Sequence, residues 1–158
     1  MARFQPKNPE FRGVATDTFE RQRAMRTLGI SIARLEPGEV DLAMAYREEF
    51  TQQNGFVHAG IITAGLDSAC GIAAFTLMPA ATGILTVEFK TNLLAPARGE
   101  RFAFRATVVK PGRTLTVCEA RAYATHNGGE TLIATMSGTL MALAAREGAA
   151  KDRARTPA

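Results

Sequence analysis

The chain has 158 residues, of which 46% are hydrophobic and 22% are charged, as in an ordinary soluble globular protein of one domain. Its net charge of +4 is modest and no nucleic-acid-binding motif accompanies the basic residues, so nucleic acid is not an expected partner. We expect neither a secretory signal nor a membrane helix, because no long continuous apolar span is present. Two cysteines without a paired motif predict a reducing, cytoplasmic location.

The first predicted elements are a short helix and a β-hairpin. Residues 16–27, TDTFERQRAMRT, have capping residues at their start and an apolar side, which predicts a helix. Residues 1–27 would then be an N-terminal extension that carries this helix. The segments LGISIARL and VDLAMAYR alternate in polarity on either side of EPGE, which predicts two strands joined by a turn.

The next segment is a long apolar stretch with one charged residue. Between Glu49 and Glu88 the only formal charge belongs to Asp67. From Ala59 to Leu77 apolar residues fall on several helical faces, and a helix without a polar side must be buried. The sequence therefore predicts a long central helix enclosed by the rest of the fold.

Four further strands are predicted after this helix. The segments ILTVEFKTNLL, RFAFRATVV, TLTVCEARAYAT and TLIATMSGTLMAL alternate in polarity and are separated by the turn sequences APARGE, KPGR and HNGGE. In the first of them, strict alternation would place Leu85, Val87, Phe89 and Leu93 on one face. The simplest architecture is α+β, a curved antiparallel sheet wrapped around the central helix. Residues 145–158 are expected to form a mobile polar tail.

Asp67 is a candidate functional residue because a buried, unpaired carboxylate is costly. It could also lie at a wet spot on the helix, or be a structural acid bonded to the backbone. However, Gly60 lies two helical turns earlier on the same face, after the loop NGFVHAG. Backbone N–H groups at a helix N-terminus can stabilise an oxyanion. The two positions are about 10 Å apart along the axis, so a second subunit would have to complete the site.

These residues carry a family resemblance. The segments NGFVHAGIITAGLDSACGIAA, TVEFKTNLLAPARGE and VVKPGRTLTVCEARAY resemble the PaaI-type hotdog-fold acyl-CoA thioesterases, over roughly Leu28 to Leu143. The family pattern is an Asn, then Gly-x-x-His-Gly-Gly, then an acid about nine residues after the His. The resemblance implies a hotdog domain over 28–144 and active sites at the interface of a homodimer, often doubled to a homotetramer. The chain departs from the pattern at Ala59, where the family usually has Gly.

The resemblance also implies roles for five residues. Asp67 would be the catalytic carboxylate, acting as general base for water or as nucleophile on the thioester carbonyl. Gly60 of the other subunit would donate its N–H to the carbonyl oxygen. Asn54 would orient the water or the thioester, and Thr86 would assist the attacking water. His58 would support the site near the thioester, or only stabilise the loop by a hydrogen bond.

Coenzyme A, as part of the substrate, would meet the basic residues of the sheet. Arg98, Lys110 and Arg113 are candidate contacts for its phosphates, although they could equally be solvated turn residues. We expect charge reversal at Arg113 to raise KM for acyl-CoA far more than it lowers kcat. No separate cofactor is expected, and without a His/Cys cluster no metal site is predicted.

Three other interpretations remain open. A Cys70–His58 nucleophile is conceivable, but a Cys on an apolar helix is more often a core residue. A non-catalytic acyl-CoA-binding protein would use the same pocket without turnover. A hydratase on the same fold would need an Asp/His pair in a different motif.

The acyl group is predicted only broadly. An apolar pocket beside the second half of the central helix would suit an aromatic or medium-chain acyl group. The residues expected to line it are Phe75, Leu77, Met78 and Leu85.

Overall fold

The computed structural model describes residues 4–144. Within them the helices are α1 (Phe11–Glu20), α2 (Arg23–Leu28) and α3 (Ala59–Phe75), with a 3-10 turn at Glu48–Phe50. The strands are β1 (Ser31–Glu36), β2 (Glu39–Ala45), β3 (Gly83–Leu93), β4 (Arg101–Lys110), β5 (Leu115–His126) and β6 (Gly129–Leu143). No helix in residues 4–144 is long and apolar enough to cross a bilayer. The predicted mobile tail, 145–158, lies outside the described residues.

The N-terminal extension contains two helices where one was predicted. The break falls at Gln22, whose backbone is extended and whose Oε1 accepts a hydrogen bond from Ser68 Oγ of α3 at 2.6 Å. The second helix, α2, ends at Gly29, which has the left-handed conformation (φ +66°) common at helix C-termini. The break is accompanied by this contact with α3, a helix that is distant in the sequence. The pattern of residues 16–27 therefore could not predict the break.

All six strands join one antiparallel sheet in the order β1-β2-β4-β5-β6-β3. The predicted hairpin is the β1–β2 pair, with Gly38 in its turn at φ +77°. Helix α3 packs against strands β2 to β6, so the face of the sheet towards α3 is its inner face. This confirms the predicted α+β architecture and the hotdog arrangement that the resemblance implied.

Close contact between α3 and the sheet depends on a small residue at one position. A Cβ atom added to Gly65 would lie 2.5 Å from the ring of Phe104 on β4, and Phe104 is fully buried. Contacts this short are not tolerated, so only glycine lets the helix approach this ring. The helix itself is buried on most sides, as expected, and ends at Phe75, two residues before the predicted end.

A bulge in β3 changes which side chains share a face. Thr86 pairs with the buried Leu140 on the inner face, whereas Glu88 pairs with Thr139, and the register shifts between Thr86 and Glu88. The strict alternation predicted for this strand is therefore wrong. Leu85 points to the outer face, and the inner face resumes at Phe89.

The two ends of α3 lie at opposite ends of the strands. At its start, the Val57 N–H donates to the Ala97 carbonyl at 3.1 Å, next to the beginning of β4. At its end, Thr76 Oγ1 accepts the Gly38 N–H at 2.8 Å, in the β1–β2 turn. The β4–β5 turn is at this second end, because the Val108 N–H donates to the Gly38 carbonyl at 2.8 Å.

Candidate active site

Asp67 lies on the least buried side of α3 and faces the edge strand β3. Its Oδ1 accepts a hydrogen bond from Thr86 Oγ1 at 2.8 Å. The same side of the helix carries Ala64 and Gly71, also only partly buried, so little side-chain bulk surrounds the carboxylate. Of the residues predicted for the site, Asp67 and Thr86 are thus brought together directly.

The N-terminus of α3 has one backbone N–H group that is not engaged. His58 caps the helix: its Nδ1 accepts the Gly60 N–H at 2.9 Å, and its carbonyl accepts the Ile61 N–H at 2.9 Å. Within residues 4–144 no acceptor is found for the Ala59 N–H. The predicted donor, Gly60, is therefore occupied by His58, and the loop-stabilising role considered for His58 is present.

A cavity of about 570 Å³ opens beside this helix terminus. It is mainly apolar, and His58 and Ala59 form part of its wall. The sequence did not predict any of its other residues as pocket residues, although the pair of leucines at the end of a predicted strand was a possible signal. The lining includes Gln52, Phe56, His58, Ala59, Ile62, Leu93, Leu94 and Ile133.

One chain does not assemble the whole site. Asp67 does not line the cavity, and it lies eight positions, or about 12 Å of helix axis, after Ala59. Both features lie beside β3, an edge strand with large apolar side chains exposed to 44–59%. The exposed apolar residues of this edge are Leu85, Val87, Phe89 and Leu93.

Asn54 and the three candidate phosphate contacts are more scattered. Asn54 is exposed in a turn in which its N–H donates to Gln52 Oε1, outside the cavity lining. Arg98 precedes β4, at the same end as the start of α3. Lys110 is the last residue of β4 and Arg113 follows it, so both lie about 30 Å away along the strand.

The residues expected to line the acyl pocket are not grouped around a cavity. Leu77 and Met78 are only 6% exposed, because α3 ends at Phe75 and the following turn directs both side chains into the core. The bulge in β3 places Leu85 on the outer face. The cavity found lies instead at the N-terminal end of α3.

The cysteine alternative is unfavourable. Cys70 is buried on α3, and Cys118 Sγ of β5 lies 3.5 Å from its carbonyl oxygen. The hydrogen bond with the Cys118 side chain and burial raise the pKa of the Cys70 thiol, which disfavours the thiolate that a nucleophile requires. No cluster of metal-ligating side chains is present in residues 4–144.

The sheet wrapped around one helix, with an acid on that helix and a free N–H at its start, defines a hotdog-fold protein with a candidate acyl-transfer site. A family model described as the Thioesterase superfamily matches residues 54–130. A solved thioesterase family protein from Silicibacter pomeroyi is 59% identical, with a TM-score of 0.84, over 85% of this chain and 98% of that one. The chain therefore belongs to the thioesterase superfamily.

More distant relatives agree with this assignment. Human acyl-coenzyme A thioesterase 13 is 32% identical over 57% of this chain and 65% of its own length. Two archaeal relatives, from Saccharolobus solfataricus and Halobacterium salinarum, are each 35% identical, and the chain spans only 65% and 64% of their lengths. The Escherichia coli PaaI protein, 15% identical, shares the fold with a TM-score of 0.78 over 88% of this chain and 97% of that one.

Proposed function

We propose that the protein hydrolyses acyl-CoA thioesters to a free acid and coenzyme A. The observation that carries the proposal is the Asp67–Thr86 pair, a carboxylate held by a hydroxyl on the accessible side of the central helix. Such a carboxylate can remove a proton from water or attack a carbonyl. The family assignment and the name of the human relative support thioester chemistry.

Two routes use these groups. As general base, Asp67 takes a proton from a water molecule, the water oxygen attacks the thioester carbonyl, and the thiolate of coenzyme A leaves. As nucleophile, the carboxylate attacks the carbonyl and expels the thiolate, and water then hydrolyses the resulting anhydride. In both routes Thr86 fixes the orientation of the carboxylate.

The carbonyl oxygen needs a hydrogen-bond donor as its negative charge develops. The sequence favoured Gly60 for this role, but its N–H is taken by His58. We therefore assign the role to the Ala59 N–H, with His58 as the residue that shapes the helix terminus. The aligned peptide dipoles of α3 add partial positive charge at the same point.

The complete site is proposed to form in a homodimer. A second copy paired antiparallel along β3 would bring its own α3 N-terminus towards Asp67 of the first. It would also cover Phe89 and Leu93, whose exposed apolar side chains are unusual on the inner face of a sheet. A homotetramer would need a further interface.

The lining of the cavity supports a substrate with an apolar acyl group. Phe56, Ile62, Leu93, Leu94 and Ile133 form most of its wall, which suits an aromatic or medium-chain acyl chain. The alternative function, binding of acyl-CoA without turnover, would use the same wall. It differs from the favoured function only in whether Asp67 acts chemically.

Thiol release from acetyl-, octanoyl-, benzoyl- and phenylacetyl-CoA tests the proposal. We expect turnover by the wild type and a loss of at least about 100-fold in kcat for Asp67→Asn, because acid–base catalysis is typically worth that much. Asp17→Asn, at an exposed carboxylate of α1, is the matched control. If the wild type binds these esters without releasing thiol, the binding alternative replaces the hydrolase.

A further inference from the structure

Strand β3 carries a buried hydroxyl group that makes no hydrogen bond. In residues 4–144 the side-chain oxygen Oγ1 of Thr91 is fully covered and has no hydrogen-bond partner, and no other buried side-chain oxygen or nitrogen there shares this property. An unpaired hydroxyl inside a protein lowers stability, and nearly all buried polar groups are paired. The exception at Thr91 therefore calls for a specific explanation.

Thr91 faces the helix side of the sheet, at its open edge. It pairs with Met136 of β6, which is only 2% exposed, so the two side chains share the inner face. The neighbouring inner-face residues of β3 are Phe89 and Leu93, both apolar. Thr91 thus places one polar group in an otherwise apolar part of this strand.

The same residue lies next to the cavity at the start of α3. Leu93 lines that cavity together with Ala59, and Thr91 is two residues from Leu93, or about 7 Å along the strand. Further along β3 in the same direction, Thr86 holds Asp67. Along the strand, Thr91 therefore lies between the wall of the cavity and the candidate catalytic carboxylate.

The Thr91 oxygen can turn towards a ligand without losing a bond. Thr91 as a whole is only partly buried, so other atoms of the residue are exposed beside the covered oxygen. Rotation about the Cα–Cβ bond moves Oγ1 among three staggered positions, and no hydrogen bond breaks when it moves. Because the oxygen has already lost its contact with water, a hydrogen bond to a ligand removes a penalty that the fold carries.

We propose that Thr91 selects acyl groups that carry a hydroxyl group on carbon 2 or carbon 3, by a hydrogen bond between the two hydroxyls. The inference rests on the proposed function and narrows its substrate class to apolar acyl chains with one polar oxygen. Carbons 2 and 3 follow the carbonyl that we assign to the Ala59 N–H, and Thr91 lies on the Asp67 side of the cavity. The apolar neighbours Phe89 and Leu93 suit the hydrocarbon around that oxygen.

The experiment compares octanoyl-CoA with 2-hydroxy- and 3-hydroxyoctanoyl-CoA, each hydroxy ester as both enantiomers. We expect kcat/KM of the wild type to be at least about tenfold higher for one hydroxy ester than for octanoyl-CoA, as for one well-formed hydrogen bond. Thr91→Val keeps the shape of the side chain without its hydroxyl and should abolish this preference, whereas Thr91→Ser should keep it. Thr107→Val, at a partly buried threonine on the outer face of β4, is the matched control and should leave the preference unchanged.

Urea titration provides a second readout that does not depend on turnover. Because Thr91→Val removes an unpaired buried hydroxyl, we expect it to raise the equilibrium constant for folding about fivefold. Thr107→Val should change that constant by less than about threefold. Destabilisation by Thr91→Val would show that the hydroxyl has a partner in the assembled protein, and would overturn the proposal.

The outcomes separate this inference from the proposed function. If the wild type hydrolyses all the esters with equal kcat/KM, or Thr91→Val keeps the preference, selection by Thr91 is wrong and the hydrolase stands. If no ester is hydrolysed, the hydrolase fails, and calorimetry with the same intact esters decides the selection. Tighter binding of a hydroxy ester that is lost in Thr91→Val supports it, and equal affinities overturn it.

Discussion

At the scale of single residues, the notable feature of Asp67 is the kind of partner it has. A neutral hydroxyl, from Thr86, holds the carboxylate, and within residues 4–144 no basic side chain forms an ion pair with it. A cation in contact would compete for the electron pairs that the carboxylate must use. The arrangement orients the acid and leaves it able to accept a proton or form a bond.

The oxyanion donor can be tested by removing one hydrogen atom. Ala59 is the first residue of α3, where proline is well tolerated, and His58 before it has ψ 137°, which suits a following proline. Ala59→Pro should keep the helix and lower kcat by about 10²–10³-fold, because it deletes only the N–H that we assign to the carbonyl oxygen. Steady-state kinetics measure the loss, and circular dichroism checks the fold.

The control for this change is Ala59→Gly, which alters the side chain and keeps the N–H. It should retain nearly all of kcat. Equal activity of Ala59→Pro and Ala59→Gly would return the donor role to Gly60, with His58 moving aside when substrate binds.

At the scale of elements, the central helix combines poor helix formers with tight packing. Glycine in a helix costs roughly 0.5–1 kcal/mol against alanine, so each one needs a compensating contact. For Gly65 the compensation is the ring of Phe104, which occupies the space a side chain would need. The position of α3 over the sheet therefore depends on this contact.

Gly65→Ala should lower the free energy of unfolding by about 1–3 kcal/mol, the usual cost of overpacking a core. Gly13→Ala, in exposed α1 with no atom within 4 Å of the added Cβ, should instead raise it by about 0.5–1 kcal/mol. Urea titrations of the two variants measure both effects. Stabilisation by Gly65→Ala would show that the helix is free to move away from the sheet.

At the scale of the whole molecule, the open edge of the sheet and the divided site have one explanation. Strand β3 exposes Phe89 at 44% and Leu93 at 59% on the face that elsewhere forms the core. Asp67 and the free Ala59 N–H both lie along this edge. A second copy would complete the core and the site together.

Phe89→Glu should therefore convert a dimer to monomers and reduce kcat at least about 100-fold, since a buried charge at the pairing edge is strongly unfavourable. Sedimentation velocity and thiol release measure the two effects on the same sample. Val109→Glu, at an exposed apolar residue of β4, three strands from this edge, should change neither. An active wild-type monomer would contradict the shared site.

Local patterns predicted much of this fold because they report which side of each segment is buried. The alternation in the four later strands, the turn sequences and the all-round apolar helix each carry that information. The Asp67 candidate followed from the same reasoning, as the one charge in an apolar segment. The prediction of its partner, Thr86, depended on the family resemblance alone, because Thr86 is 19 residues from Asp67 along the chain and belongs to another segment.

The sequence by itself determined the α+β class, the central helix and the acid on it, because burial periodicity is a local property. Only the tertiary structure decided the helix break at Gln22, the face change in β3, and the engagement of the Gly60 N–H by His58. It also separated Arg98 from Arg113 by the length of a strand. Each of these depends on a contact between segments or on hydrogen-bond geometry, and residue patterns along one segment do not encode either.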